Sequence, residues 1–122
     1  MIDFQSHSVF KLKKIKDAPN NLNDLLIAGE CVIGCYQTVR DYVAFTNKRI
    51  IAVNVQGMTG KKKDYTTLPY SKIQAYSVET AGAFDRDSEL ELYFSSVGKV
   101  RFEFSGASDI VSIGRTIAEF VL

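Results

Sequence analysis

The sequence predicts a mainly β domain closed by a C-terminal α-helix, and three observations carry that reading. In Phe45-Thr46-Asn47-Lys48-Arg49-Ile50-Ile51, turn-forming residues stand between two β-rich runs, and Gly57-Met58-Thr59-Gly60 supplies the next reversal. Leu90, Leu92 and Phe94, then Val100, Phe102 and Phe104, alternate with polar residues at period two, the mark of a half-buried antiparallel hairpin. Ile110, Ile113, Ile117 and Phe120 then recur at helical spacing. A chain of 122 residues suits one domain with one core, and 46% apolar with 24% charged residues excludes disordered and fibrous classes.

Taken in order, Val9 to Lys16 is weakly amphipathic and basic, with Val9, Leu12 and Ile15 three apart among four lysines. It reads as part of an N-terminal extension, residues 1–21, laid over a domain spanning 22–122. Asp17-Ala18-Pro19-Asn20 breaks the chain, and Asn20 is placed to cap a short helix that buries Leu22, Leu25 and Leu26 and stops at Gly29. Glu30 to Thr38, Tyr42 to Thr46 and Arg49 to Val55 are rich in β-branched and aromatic residues, and breaks this short make them an antiparallel meander. Tyr65 to Leu68 is a short fourth strand stopped by Pro69, which has no N–H for a ladder, and Ile73 to Thr80 is the fifth. Residues 89–94 and 99–104 complete seven strands, with Glu opposed to Lys or Arg across their outer face contributing register. Ser108 and Asp109 suit the start of the final helix, and Gly114 inside it implies close approach to a strand.

The chemistry-bearing residues are sparse. Cys31 and Cys35 lie about 13 Å apart if extended at ~3.3 Å per residue, beyond the roughly 7 Å a disulfide spans, so both read as reduced, buried thiols on one face. With His7 the single histidine, soft ligands for zinc and a base for a catalytic triad are both wanting. Asp41 and Glu79 read as carboxylates serving turn amides. Gly60-Lys61-Lys62-Lys63 concentrates positive charge but fails the phosphate-loop pattern, since Gly57 stands too close and no Ser or Thr follows the first Lys. Asp85, Asp87 and Glu89 have the alternation of a calcium loop, yet Leu90 replaces its turn glycine and Ser96 its bidentate glutamate, so no metal is expected. Nucleic acid is disfavoured by a net charge of +1. The charge is unevenly spread: ten Lys and Arg against five Asp and Glu through residue 63, and five against nine after it. Residues 1–10 lack the apolar core of a secretory signal and no run is long enough to span a bilayer, which makes a cytoplasmic location the expectation.

Asp41, Phe45-Thr46-Asn47-Lys48-Arg49, Gly57, Thr59-Gly60-Lys61-Lys62, Pro69-Tyr70-Ser71-Lys72-Ile73 and Ser77-Val78-Glu79-Thr80-Ala81-Gly82 with Phe84-Asp85 resemble a bacterial pleckstrin-homology domain of the single-domain group. The likeness covers about Leu22 to Leu122. It implies a PH-like barrel of two near-orthogonal antiparallel sheets capped by the C-terminal helix, no cofactor, no chemistry of its own and a tendency to self-assemble. Eukaryotic phosphoinositide binders of this fold carry a basic cluster between their first two strands, and here Val39-Arg40-Asp41 departs from that with one Arg offset by one Asp. The expectation is a non-enzymatic module forming a homo-oligomer, or accepting a protein or peptide strand, at sheet edges and outer faces. An alternative is peripheral contact with anionic lipid through Lys11, Lys13, Lys14, Lys16, Lys61, Lys62 and Lys63, set against the plainer reading that these lysines are simply solvated.

Overall fold

The computed structural model describes residues 1–6, 9–106 and 109–122, with the backbone alone at 9 and 10. The elements are β1 (Val9–Ile15), α1 (Asn20–Asn23), β2 (Val32–Gln37), β3 (Tyr42–Thr46), β4 (Arg49–Gln56), β5 (Lys62–Pro69), a 3₁₀ turn (Tyr70–Lys72), β6 (Ala75–Glu79), β7 (Ser88–Phe94), β8 (Gly98–Phe104) and α2 (Ile110–Val121). The strands run in the order β5-β4-β3-β2-β1-β8-β7-β6. Every pairing is antiparallel except β1 with β8, which is parallel. The chain is thus a meander and a three-stranded sheet that share β1 at their seam.

The seven expected strands are all present within a few residues of their predicted bounds, and β1 is an eighth. The segment read as an extension laid on the outside enters the sheet between β2 and β8. Its three-residue apolar spacing is that of a bulged strand: Lys11 has φ +57°, and the register with β8 slips between Val9 and Leu12. Beyond the bulge, Leu12 faces the main core at zero exposure while Ile15 packs on the opposite face. The helix before β2 is also shorter than expected. Pro19, not Asn20, precedes its first residue, no side chain caps it, and only Leu22 is buried, while Leu25 is 40% exposed just beyond the single turn. His7 and Ser108 lie outside the described residues.

Two hydrophobic layers follow from the alternation. Val43, Phe45, Ile50 and Ala52 point inward with Leu90, Leu92, Phe102 and Phe104, whereas Tyr42, Ala44, Ile51 and Val53 point outward. That outer layer is covered by Ile15, Ala18, Leu22 and Leu26, which is why β3 is buried on both faces. One mouth of the barrel is stoppered by α2, whose Ile110, Ile113 and Ile117 are buried as the stripe predicts. Asp109 caps α2 by accepting from the Ser112 amide at 3.0 Å, and Phe120 stacks on Tyr70 with centroids 5.1 Å apart. A methyl at Gly114 would stand 3.0 Å from Cγ1 of Val78, so the glycine does mark close approach to a strand, namely β6.

Residues 1–6, silent in the sequence, fill another gap. Ile2 and Phe4 join the main core, the Ile2 amide donates to Thr66 Oγ1 at 3.0 Å, and Gln5 Nε2 donates to the carbonyls of Val97 and Lys99 at 2.9 and 3.0 Å. Phe4 meets Phe102 edge to face at 6.3 Å.

Because β1 is a core strand, Leu12→Ala should lower the unfolding free energy by about 3 kcal/mol in a denaturant titration, with exposed Lys13→Ala within about 0.5 kcal/mol of wild type. Equal effects of the two substitutions would contradict the placement of β1.

Candidate interaction surfaces

The residues of the Phe45–Arg49 motif build a fastening between the meander and the connection preceding β2. Arg49 grips Glu30 with two parallel bonds, Nε to Oε2 at 2.9 Å and an Nη to Oε1 at 3.0 Å. Its other donors reach Thr67 Oγ1 at 3.0 Å and the Leu25 carbonyl at 2.9 Å. Thr46 donates to Glu30 at 2.7 Å and accepts from the amides of Lys48 and Arg49, while Asn47 accepts from the Cys31 amide at 2.8 Å and donates to the Gly29 carbonyl at 2.9 Å. The Glu30 side chain is fully buried. Hydrogen bonding from Arg49 holds its carboxyl down to about 2 from the usual 4.5, against the opposing cost of burial, with Thr46 and the Ile27 amide adding to the effect. Tyr70 ties the 3₁₀ turn to the same place by donating to the Thr46 carbonyl at 2.8 Å. The motif residues are therefore structural fasteners, and their carboxylate is saturated by its partners.

Asp41 behaves as a turn carboxylate, accepting from the Val55 amide at 2.9 Å and from Asn54. Glu79 is exposed. Of the two cysteines only Cys35 is buried, which pushes its thiol up to about 11, and Cys31 is exposed. They are not the like-facing pair the sequence implies, because Cys31 lies outside β2 and the register slips between Val32 and Gly34. The alternating carboxylates after Asp85 do not wrap an ion: Ser88 to Phe94 is a strand hydrogen-bonded on both sides. Among the described residues no three His, Cys, Asp or Glu side chains gather as a metal site, and no helix is long and apolar enough to cross a membrane.

The candidate lysines do not form one cluster, and only Lys11 and Lys61 to Lys63 share one end of the meander. Lys13 stands in register with Gln37, Gln37 with Tyr42, Tyr42 with Val53 and Val53 with Tyr65. Lys11 therefore points toward the same end as Lys61, Lys62 and Lys63, but four strands away, about 19 Å at ~4.8 Å per strand. Lys62 and Lys63 belong to β5 itself, and Lys63 donates to the Gly60 carbonyl at 2.9 Å. Lys14 is elsewhere, lining a cleft of about 510 Å³ with Ile15, Lys16, Val32 and Ile33. What the sequence reading missed is the pairing of two turns at this end. Arg40, on the β2–β3 turn, donates to the Gly57 carbonyl on the β4–β5 turn, and beside them Val39 and Met58 are 97% and 104% exposed.

The far side of the molecule is acidic. Glu91 stands opposite Arg101 as the expected opposition of signs requires, but Glu79, Glu89 and Glu103 are also directly opposed across β6, β7 and β8 as a row of like charges. Arg101 bonds Glu89, and Lys99 approaches Glu91 at 3.7 Å. Burial and then the neighbouring Asp87 and Glu89 raise the Glu103 carboxyl above its usual range. The 80–87 loop adds Asp85 and Asp87 around Phe84, which is 104% exposed. Among the described residues β5 and β6 each pair on one side only, so the acidic sheet and the basic meander each end in an edge strand.

Comparison with known proteins places this architecture. The Bacterial PH domain family model matches residues 3–121. Uncharacterized protein YjqA of Bacillus subtilis (strain 168) is 41% identical over 99 residues, covering 80% of this chain and 79% of that protein. Among solved structures, a DUF1696 family protein with a pleckstrin-homology domain from Shewanella loihica PV-4 superposes with a TM-score of 0.80 at 36% identity, over 93% of this chain and 99% of its own. A pleckstrin homology domain from Shewanella amazonensis SB2B gives 0.64 at 41% identity, over 84% and 83%.

The depressed Glu30 carboxyl makes a pH prediction. Its stabilisation is fully present above the unfolded value of 4.5 and is lost as pH falls toward about 2, up to about 3 kcal/mol in all. Acid titration of stability should show this loss in wild type and a flattened limb in Glu30→Gln; the same limb in both would remove Glu30 as its source.

Proposed function

This chain belongs to the bacterial PH domain family, and on that premise we propose that it is a non-enzymatic assembly module that self-associates through the edges and outer faces of its sheets. The observation that supports this most directly is the strand order, which leaves β5 and β6 each with one unpaired side. Unpaired backbone donors and acceptors are a template for a neighbouring strand. Ala75, Ser77, Val78 and Glu79 are exposed along β6 and Lys62, Thr67 and Pro69 along β5, while Met1 and Ile2 stand against Asp64 and Thr66 of β5 and α2 approaches Val78 of β6 at Gly114. The outer face beside β6 carries a further shallow depression of about 200 Å³ whose lining includes Ala75, Ser77, Glu91, Tyr93 and Lys99. Sedimentation equilibrium at micromolar concentration in moderate salt should show species larger than the monomer, and a monomer throughout would end this reading.

A second reading is contact with anionic lipid at the basic end. Two fully exposed apolar tips, Val39 and Met58, stand among Arg40, Lys61 and Lys62, an arrangement suited to an interface that is apolar inside and charged at its surface. Each cation near an anionic leaflet would contribute ~1 kcal/mol. Flotation with phosphatidylserine-rich vesicles should be lost in about 0.5 M salt and weakened by Met58→Asp; indifference to lipid charge would exclude it.

A further inference from the structure

We propose that the junction of β1, β2 and α2 over Gly34 is a binding site for a small organic phosphate monoester. The site is independent of the self-association proposed above. It lies toward the start of β2, away from the β2–β3 turn that carries Val39 and Arg40.

The ladder between β1 and β2 pairs Lys13 with Gln37, Lys14 with Tyr36 and Ile15 with Cys35, and goes no further. Lys14 therefore shares the face of Tyr36, which is turned to the main core, while Lys13 and Ile15 take the other. Where the two chains part, the space between them is the cleft of about 510 Å³, walled by Lys14, Ile15 and Lys16 on one side and Val32, Ile33 and Gly34 on the other. That size is ordinary for a small-molecule site. A recess of about 60 Å³ shares Lys14, Ile33 and Gly34 with the cleft and continues it to Tyr36 and to Ser112 of α2. It has room for a phosphate group, since roughly 10–15 Å³ of such space already admits a water.

The phenol of Tyr36 carries the inference. Tyr36 is 6% exposed, and its ring is set edge to face against Phe45 and Phe104 with centroids 5.8 and 5.0 Å away. Buried tyrosine hydroxyls ordinarily find a partner, yet among the described residues nothing bonds this one. Nor is it sealed from solvent, which leaves the recess as its outlet. Gly34 keeps that outlet open, because a Cβ there would stand 3.5 Å from Cε2 of the ring and 3.7 Å from the hydroxyl. Burial, and after it the charges of Asp109 and Cys35, push the phenol up, so it keeps its proton and offers a donor.

Lys14 from β1, Tyr36 from β2 and Ser112 from α2 line the same recess, and each is a donor. Three donors suit the three terminal oxygens of a phosphate monoester better than the two of a carboxylate. Lys14 and Lys16 have no ion-pair partner among the described residues, so both charges are available. The acids nearby are Asp17 on the cleft wall and Asp109, whose Oδ1 already accepts from the Ser112 amide. The organic body of the ligand then lies in the cleft, along Ile15, Val32 and Ile33.

Titration with glucose 6-phosphate, followed by backbone amide shifts, should give saturable changes at Lys14, Gly34, Tyr36 and Ser112, with glucose inert at the same concentration. Tyr36→Phe should weaken binding by about fivefold or more and leave the melting temperature unchanged, since the hydroxyl has no protein bond to lose. Lys14→Ala/Lys16→Ala should weaken it by about tenfold or more, and Lys13→Ala, on the other face, should not. Gly34→Ala, whose methyl would meet Tyr36 at ordinary contact distance, should keep the fold and weaken binding by narrowing the recess. Vesicles of phosphatidic acid identify the source of the phosphate. Flotation that Lys14→Ala/Lys16→Ala abolishes would make it a lipid headgroup, and response to glucose 6-phosphate alone would make it a soluble metabolite. No saturable response to glucose 6-phosphate, inorganic phosphate or those vesicles would overturn the site. So would binding that Tyr36→Phe and Lys14→Ala/Lys16→Ala leave unchanged, or glucose binding as tightly as its phosphate.

Discussion

The architecture depends on one strand having two partners of opposite sense. β1 runs antiparallel to β2 and parallel to β8, and it alone connects the meander to the three-stranded sheet. The bulge lies at Lys11, and beyond it ordinary strand alternation carries Leu12 into the core and Ile15 toward the outer layer. Joining the sheets here means that they are not joined at β5 and β6. The interval between those strands is filled by side chains instead: Tyr70 against Phe120, Val78 against Gly114, and Ile2 near Thr66. Side chains can bury a core, but they do not complete a backbone ladder, so two edges persist.

What was legible in the sequence follows from where period and burial agree. β7, β8 and α2 each have one apolar face and one polar face, and residues 88–104 and 110–121 were read nearly to their ends. β3 and β4 were read by composition because both of their faces are buried and alternation is lost. β1 escaped because its bulge replaced period two with spacing three, which an amphipathic turn of helix shares. The packing of Ile2 and Phe4 was not legible at all: a few residues beside a core carry no periodicity. The Asn20 cap failed for a different reason, since Pro19 already takes the position before the first helical residue and one turn leaves few amides to cap.

The site was less legible than the fold, because proximity in sequence is a poor guide to which charges share a surface. Seven lysines formed one candidate set, and the structure divides them between β1, a cleft and the β5 edge. Arg40 sat beside Asp41 and was discounted as neutralised, yet Asp41 Oδ1 accepts from the Val55 amide while Arg40 holds the adjoining turn through the Gly57 carbonyl. The motif residues Thr46, Asn47 and Arg49, at the turn the sequence marks, serve Glu30 and the backbone around it. Removing charge from that network would leave buried donors unpaired, a cost that accounts for the motif without any ligand.

Charge on an exposed edge has two physical consequences, and they are not in conflict. Lysines at the start of β5 and glutamate at the end of β6 discourage indiscriminate pairing with apolar strands, since a stranger would have to desolvate them without compensation. The same groups favour a strand of opposite charge whose polarity brings the signs together. Specificity of this kind needs little affinity from each contact, because a wrong partner is penalised by more than the right one gains. The like-charged run of Glu79, Glu89 and Glu103 is offset within the sheet by Arg101, which bonds Glu89, while burial first and then Asp87 and Glu89 raise the Glu103 carboxyl.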